Sequence, residues 1–346
     1  MSTQVLICDD SALARKQMAK ALPIDWDVSV TFAADGHEAL QKVRAGAADI
    51  LFLDLNMPTL DGYAVLQAIK EEDLPVLTVV VSGDVQPQAR TRVLELGAMD
   101  FIKKPTAPAT LAQLVQKYGL YRPGEANRTN EEKPGSTSTT QDGSGDGDLH
   151  DYLQETANLA MGQAAGLLAR LLNVFIKLPV PKVNKIARSE LSMALSAAIS
   201  KTTHSAVCQG FIGSGIAGEA LLLFTDSSYA DMAKLLNYQS DESTSSSVEV
   251  EVLMDMSSIL FGAFLKCMSD QMGLQLALGH PTVLGRQLQT ARLVQHHKQN
   301  QEQLLAIEIH YGAEGYSINC DLMVLFTEDS LPKLTELLHR SKEQLL

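Results

Sequence analysis

The runs ILFLDL (50–55) and LTVVVS (77–82) are apolar almost throughout rather than at every second position. A strand that is apolar on both sides must be covered on both sides, as in a parallel sheet flanked by helices. Three more strand-like runs, QVLICDD, DVSVTFA and DFIKKP, alternate with helical patterns: ALARKQMAKAL, HEALQKVRAG, GYAVLQAIKE, QARTRVLELGA and a last helix from about residue 107. Five strands and five helices in alternation predict a doubly wound α/β domain over residues 1–121.

Beyond residue 121 the text changes. RPGEANRTNEEKPGSTSTTQDGSGDGD (122–148) has almost no hydrophobic residue and is rich in Gly, Ser, Thr, Pro and charge. Such a segment cannot bury enough to fold, and reads as a flexible linker with an r.m.s. span of about 30 Å. The remainder, 149–346, repeats itself. ETANLAMGQAAGLLARLL aligns with DMSSILFGAFLKCMSD when Glu155 is set on Asp255, LPVPKV with GHPTVL through Pro181 and Pro281, and ALLLFTDSSYADMAKLLN with LMVLFTEDSLPKLTELLH through Phe224 and Phe326. Three anchors in one order at nearly constant offset predict two half-repeats, each a helix, strands and a second helix, in one pseudo-symmetric α+β domain.

The net charge of −13 and the lack of a Lys/Arg stripe argue against a nucleic-acid partner. No helix-turn-helix pattern with a basic recognition helix is present, which argues against a transcription factor. No apolar run reaches the roughly 18 residues of a membrane span, and an apolar strand begins too early for a cleavable leader, so a cytoplasmic location is expected. Cys8, Cys208, Cys267 and Cys320 lie far apart in apolar stretches, as buried free thiols in a reducing compartment would.

In a doubly wound sheet, ligands bind at the carboxyl ends of the strands. The residues that close the apolar runs are Asp9 and Asp10, Asp54, Ser82, and Lys104 before Pro105. Three carboxylates meeting at one edge repel each other unless a cation joins them, and hard oxygen donors of this kind suit Mg²⁺. A hydroxyl and an ammonium at neighbouring strand ends complete a set able to hold a phosphoryl group on Asp54. Taken singly, strand-end Asp residues are ordinary helix caps and Ser-Gly an ordinary turn.

As a set, these residues resemble the response-regulator receiver domain of the CheY-like family, over about residues 1–120. The resemblance implies a five-stranded parallel sheet in the order 2-1-3-4-5, with Asp54 as phosphoacceptor. It also implies that Asp9, Asp10, Asp54 and the backbone of Asn56 hold Mg²⁺, and that Ser82 and Lys104 contact the phosphoryl group. Phe101 stands at the family's switch-aromatic position, where an ordinary core Phe would look the same. Asn56 and Asp84 stand where, by the resemblance, the family varies residues that tune the lifetime of the phosphoryl group.

DYLQETANLAMGQAAGLL (151–168) opens the second domain with Asp151, Glu155 and Asn158. At about 100° per residue, offsets of four and seven return to within roughly 40°, so the three share one narrow polar stripe. Asn is a poor interior helix former, so its place there asks for a reason. An isolated pattern of this kind is more often a capped, solvated helix start.

Embedded in the duplication and fused to a receiver, it resembles the CheC/CheX/FliY chemotaxis phosphatases, over roughly residues 150–342. That resemblance implies that the helix docks on a phosphorylated receiver, with Asn158 positioning the attacking water and Glu155 engaging the receiver's Lys. The second half carries Glu251, Asp255 and Ser258 in the corresponding places. Asp255 is shorter than Glu and Ser258 reaches less far than Asn, so one working site is expected.

Other motifs carry less. His296 and His297 in QHHKQNQEQ are adjacent, so they do not converge on one ion, and a solvated loop is expected. GSGIAGEA lacks the strand–GxGxxG–helix context of a nucleotide loop. SDESTSSSVEVE reads as a polar connection. The expected function is therefore a response regulator, charged at Asp54 by a sensor histidine kinase of the CheA type. Its output domain hydrolyses the aspartyl phosphate of a CheY-like receiver, either a separate one or its own. The alternative is a non-catalytic module that binds a receiver or another chemotaxis or flagellar component.

Overall fold

Residues 2–121, 145–187, 204–238, 246–285 and 303–343 are described in a computed structural model. The first segment alternates as its apolar runs require: β1 (Thr3–Cys8), α1 (Ala12–Ala21), β2 (Val28–Ala33), α2 (Gly36–Arg44), β3 (Ile50–Leu53), α3 (Gly62–Glu71), β4 (Leu77–Ser82), α4 (Pro87–Glu95), β5 (Asp100–Lys103) and α5 (Pro108–Lys117). The five strands form a parallel sheet in the order β2-β1-β3-β4-β5.

Side chains along β3 go alternately to two cores. Leu51 and Leu53 join Leu6, Leu40, Val65, Leu66 and Val80, whereas Ile50 and Phe52 join Val5, Ile7, Met18, Val79, Val81 and Leu111. Burial on both faces, at about 1.5–3 kcal/mol for each fully buried large side chain, is the reason the run is uniformly apolar.

The later segments comprise α6 (Gly145–Leu172), β6 (Ile176–Lys177), β7 (Lys182–Ala187), β8 (His204–Gly213), β9 (Ile216–Thr225), α7 (Tyr229–Leu235), α8 (Ser246–Met272), β10 (Ala277–Leu278), β11 (Thr282–Gly285), β12 (Gln303–Ala313), β13 (Asn319–Phe326) and α9 (Leu331–Glu343). Among the described residues, each half runs helix, two short strands, two long strands, a 3-10 turn and a helix. The eight strands form one sheet along β10-β8-β9-β13-β12-β6, with β11 also on β8 and β7 also on β12. The short strands of each half thus pair with the long strand of the other. The central strands β9 and β13 are antiparallel with Leu221 opposite Met323. These two residues correspond when Phe224 is set on Phe326, so an approximate two-fold passes between them.

GSGIAGEA forms the β8–β9 hairpin, in which Gly213 pairs with Ile216. Ser214 and Gly215 between them have φ of 53° and 81°, the backbone of a two-residue hairpin turn rather than of a phosphate loop.

Two boundaries differ from the sequence reading. Residues 145–148 of the expected linker already belong to α6, and Ser246–Glu251 of the expected polar connection belong to α8. A helix nucleated on a packed face extends cheaply into polar sequence, because elongation costs far less than nucleation. Residues 122–144 of the linker, and His296 with His297, lie outside the described residues. The chain gathers into two compact units, Met1–Gly83 with Ala89–Glu155, and Asp84–Gln88 with Thr156–Leu346. The opening of α6 therefore belongs with the first unit and the loop after β4 with the second.

Gly62 opens α3 immediately beside the end of β3. A Cβ there would lie 2.3 Å from the Asp54 carbonyl oxygen and 2.8 Å from the Leu55 Cα, so backbone would have to move. The Gly62→Ala variant is expected to lose about 1–3 kcal/mol of stability, measured by denaturant unfolding, through overpacking. An unchanged midpoint would show that the α3 entrance is looser than described.

Candidate functional site: an acidic pocket at the strand ends

The site is made where the parallel strands stop. Asp9 and Asp10 follow β1, Asp54 follows β3, Ser82 ends β4 and Lys104 follows β5. The Lys104 backbone N–H donates to the Ser82 carbonyl at 2.9 Å, extending the ladder by one bond and turning the lysine side chain inward. Lys104 is 7% exposed. Its Nζ lies 2.6 Å from Asp9 Oδ2, 3.3 Å from Asp54 Oδ2 and 3.6 Å from Glu155 Oε1.

The carboxylates of Asp9, Asp10 and Asp54 each offer an oxygen, all within 4.8 Å of one another. Asp54 Oδ1 also accepts from the Leu55 N–H at 2.8 Å, and Asp9 Oδ1 from the Ser11 N–H at 3.0 Å. Ser82 is fully buried, while Asn56 and Phe101 are half-buried. Phe101 packs against the core that contains Leu6 and Leu51.

Glu155 comes to this cluster from α6, within the first compact unit. Two other residues of that helix are held there as well. Asp151 Oδ2 accepts from the Leu13 N–H at 3.1 Å, and Gln154 Nε2 donates to Asp10 Oδ2 at 3.2 Å. Asn158, on the same stripe as Asp151 and Glu155, is 5% exposed, and neither atom of its amide has a hydrogen-bond partner. In water-accessible surroundings that would be unremarkable, but for a buried amide it is costly.

Sequence reasoning missed Gln154, and also Arg15, whose Nη1 donates to the Asp9 and Asp10 carbonyls at 2.5 and 3.1 Å. The i, i+5 spacing from Asp10 to Arg15 was the available signal for the second. Gln154 had none.

One ammonium among four carboxylates leaves the pocket short of positive charge. Burial, with a lesser contribution from Asp9, pushes Asp10 up to about 6. Burial raises Asp54 to about 7 and Glu155 to about 8, against the opposing pull of Lys104. Burial works to lower Lys104, but Asp54, Asp9 and Glu155 outweigh it and hold its pKa well above the usual value. Asp10 Oδ1 and Glu155 Oε2 are buried without hydrogen-bond partners. A hard divalent cation with oxygen ligands fits the Asp9, Asp10 and Asp54 donors and this charge deficit.

Among the described residues, the second half carries no such arrangement. Glu251, Asp255 and Ser258 are exposed on α8. Tyr238 donates its hydroxyl to Asp255 Oδ2 at 2.7 Å, and Ser258 Oγ donates to the Met254 carbonyl one turn back at 2.7 Å. Both side chains are spent on local bonds, and Asp255 raises the Tyr238 hydroxyl to about 12. Among the described residues, no helix is long and apolar enough to cross a membrane.

Residues 5–116 match the family described as "Response regulator receiver domain". Among curated proteins, a protein-glutamate methylesterase/protein-glutamine glutaminase of Geobacter sulfurreducens is 35% identical over 34% of this chain and 32% of its own length. A probable transcriptional regulator of Guillardia theta is 42% identical over 31% of this chain and 42% of its own. The chain therefore spans less than half the length of these relatives. Among solved structures, the chemotaxis protein CheY4 of Vibrio cholerae is 27% identical, with 34% of this chain and 98% of that one covered at a TM-score of 0.32. FliY of Thermotoga maritima is 18% identical, with 56% and 97% covered at a TM-score of 0.42.

The raised carboxyls have a definite pH signature. A carboxyl whose pKa is higher folded than unfolded binds more protons when folded, so its stability contribution is greatest at low pH. That contribution is lost as pH rises from the unfolded value near 4 through the folded one. With Asp10 at about 6 and Asp54 at about 7, metal-free protein should lose stability between about pH 4 and pH 7. Mg²⁺ binding should displace those protons and tighten over the same range. Calorimetric titration with Mg²⁺ in buffers of different ionisation enthalpy reads the released protons directly. A pH-independent affinity without proton release would contradict the assignment.

Proposed function

Residues 5–116 form a CheY-like receiver domain of a two-component response regulator, and from that premise we propose that the chain also carries an aspartyl-phosphate phosphatase acting on that receiver. Asp54 takes the phosphoryl group from a sensor histidine kinase, which for a chemotaxis regulator is of the CheA type. Asp9, Asp10, Asp54 and the Asn56 backbone carbonyl would hold Mg²⁺, which offsets phosphoryl charge when bound. Ser82 and Lys104 bind the remaining phosphoryl oxygens, and Phe101 is the aromatic that reads the occupied state.

Hydrolysis needs little more than a placed nucleophile, because the aspartyl phosphate is already held by cationic groups. Water attacks phosphorus, the bond to the Asp54 carboxylate breaks, and inorganic phosphate leaves. Asn158 orients the water through its amide. Glu155 engages Lys104, and Asp151 anchors the first residue of the motif.

The observation that carries this reading is Glu155 Oε1 at 3.6 Å from Lys104 Nζ, one turn before a buried amide with both atoms unpartnered. The self-directed version is favoured over a separate CheY-like substrate. Asp151, Gln154 and Glu155 already meet Leu13, Asp10 and Lys104 of the same chain. The internal bonds of Asp255 and Ser258 support a single working site.

Decay of the phosphoryl group from the charged full chain, after removal of the phosphodonor, tests the proposal. Asn158→Ala is expected to slow decay about a hundredfold, the scale of a misplaced reacting group, while Ser258→Ala decays like wild type. Equal decay in all three chains would leave the output half a binding module.

A further inference from the structure

Asp9 and Asp10 are neighbours in the chain, yet both carboxylates reach one cluster with Asp54, their oxygens within 4.8 Å of one another. Successive residues of an extended strand point to opposite faces. The main chain must therefore turn where β1 ends. The Asp9 N–H still donates to the Ala33 carbonyl of β2 at 3.2 Å. The carbonyls of Asp9 and Asp10, in contrast, converge on one nitrogen of the half-buried Arg15, at 2.5 and 3.1 Å from Nη1.

A guanidinium suits this arrangement for a geometric reason. Nη1 carries two protons in one plane, so a single nitrogen serves both carbonyls. The base of the same side chain is fixed as well. The Arg15 N–H donates to the Ser11 carbonyl at 3.0 Å, and Ser11 Oγ caps α1 by accepting from the Ala14 N–H at 3.1 Å. The Ser11 N–H in turn donates to Asp9 Oδ1 at 3.0 Å. The stretch from Asp9 to Arg15 is thus closed on itself by hydrogen bonds, wholly inside the first compact unit.

We propose that Arg15 is a positioning residue of the Mg²⁺ site, whose clamp on the two carbonyls holds the turn that brings both carboxylates to the metal. This rests on the Mg²⁺ assignment above and adds what shapes that site from behind. The clamp and the charge of Arg15 act in opposite directions. A cation beside an acidic pocket repels an incoming metal, so a residue acting by charge alone weakens Mg²⁺ binding, and its removal tightens it. Removing a clamp does the reverse, because the metal must then order the two carboxylates itself.

The test is calorimetric titration with Mg²⁺ alone, at one fixed pH, of full-length wild type, Arg15→Met, Arg15→Lys and Asp10→Asn, with thermal melts run beside them. Arg15→Met keeps much of the stem but loses the charge and both bonds. It should bind Mg²⁺ about tenfold more weakly, the scale for loss of a group that holds a metal ligand in place. Arg15→Lys keeps the charge without the planar pair of donors, and should also bind more weakly than wild type. Asp10→Asn loses a ligand and should bind more weakly still.

A second readout is the Mg²⁺ concentration that gives half-maximal charging of Asp54 by acetyl phosphate. In Arg15→Met it should rise by the same factor as the dissociation constant, with the rate at saturating Mg²⁺ within about twofold of wild type. Unchanged or tighter Mg²⁺ binding in folded Arg15→Met overturns the inference. If Arg15→Met is unfolded by its melt, Arg15→Lys carries the test, and wild-type affinity there overturns it. No Mg²⁺ binding by wild type, or wild-type affinity in Asp10→Asn, removes the Mg²⁺ assignment and the inference with it.

Discussion

Everything at the strand ends turns on one buried ammonium. Lys104 is in contact with Asp9, Asp54 and Glu155, and Asp10 lies in the same pocket. A lysine so placed cannot shed its proton, because the carboxylates around it stabilise the charge more than burial opposes it. The carboxylates in turn outnumber it. The pocket is consequently a charge-deficient site that gains from any added cation, and its carboxyls hold protons that a metal must displace.

A glutamate on the polar stripe of a helix is ordinarily exposed. Buried near Lys104, Glu155 becomes a member of the pocket instead. Asn158 lies three residues further on, one helical turn, on the same stripe. An unpaired buried amide is a liability to stability and calls for an explanation, which the proposed role of Asn158 would supply. On the counterpart helix, Asp255 and Ser258 instead make local bonds to Tyr238 and Met254 and stay at the surface.

The sheet order and the pocket residues of the receiver were legible because each is fixed by a strand, and strands announce themselves through continuous apolar runs such as ILFLDL. The repeat was legible because both halves keep the same large residues, among them Phe224 and Phe326. What escaped the sequence depended on side chains whose partners lie far away in the chain. Gln86 Nε2 donates to the Ile176 carbonyl from 90 positions away, and nothing in either local pattern marks the pair. Gln154 and Arg15 are long polar side chains in helices, indistinguishable in a sequence from solvated ones. Helix starts at Gly145 and Ser246 were placed too late, because polar, Gly- and Ser-rich text looks like linker even where a packed helix extends into it.

The pKa of the Glu155 carboxyl in the metal-free full chain, followed by carbon-detected NMR with Glu155→Gln to assign the signal, tests the central claim most directly. Burial in this pocket is expected to push the carboxyl well above the ordinary glutamate value, to about 8. A value near the ordinary glutamate figure of about 4.3 would mean that burial does not raise the Glu155 carboxyl, and would contradict the account.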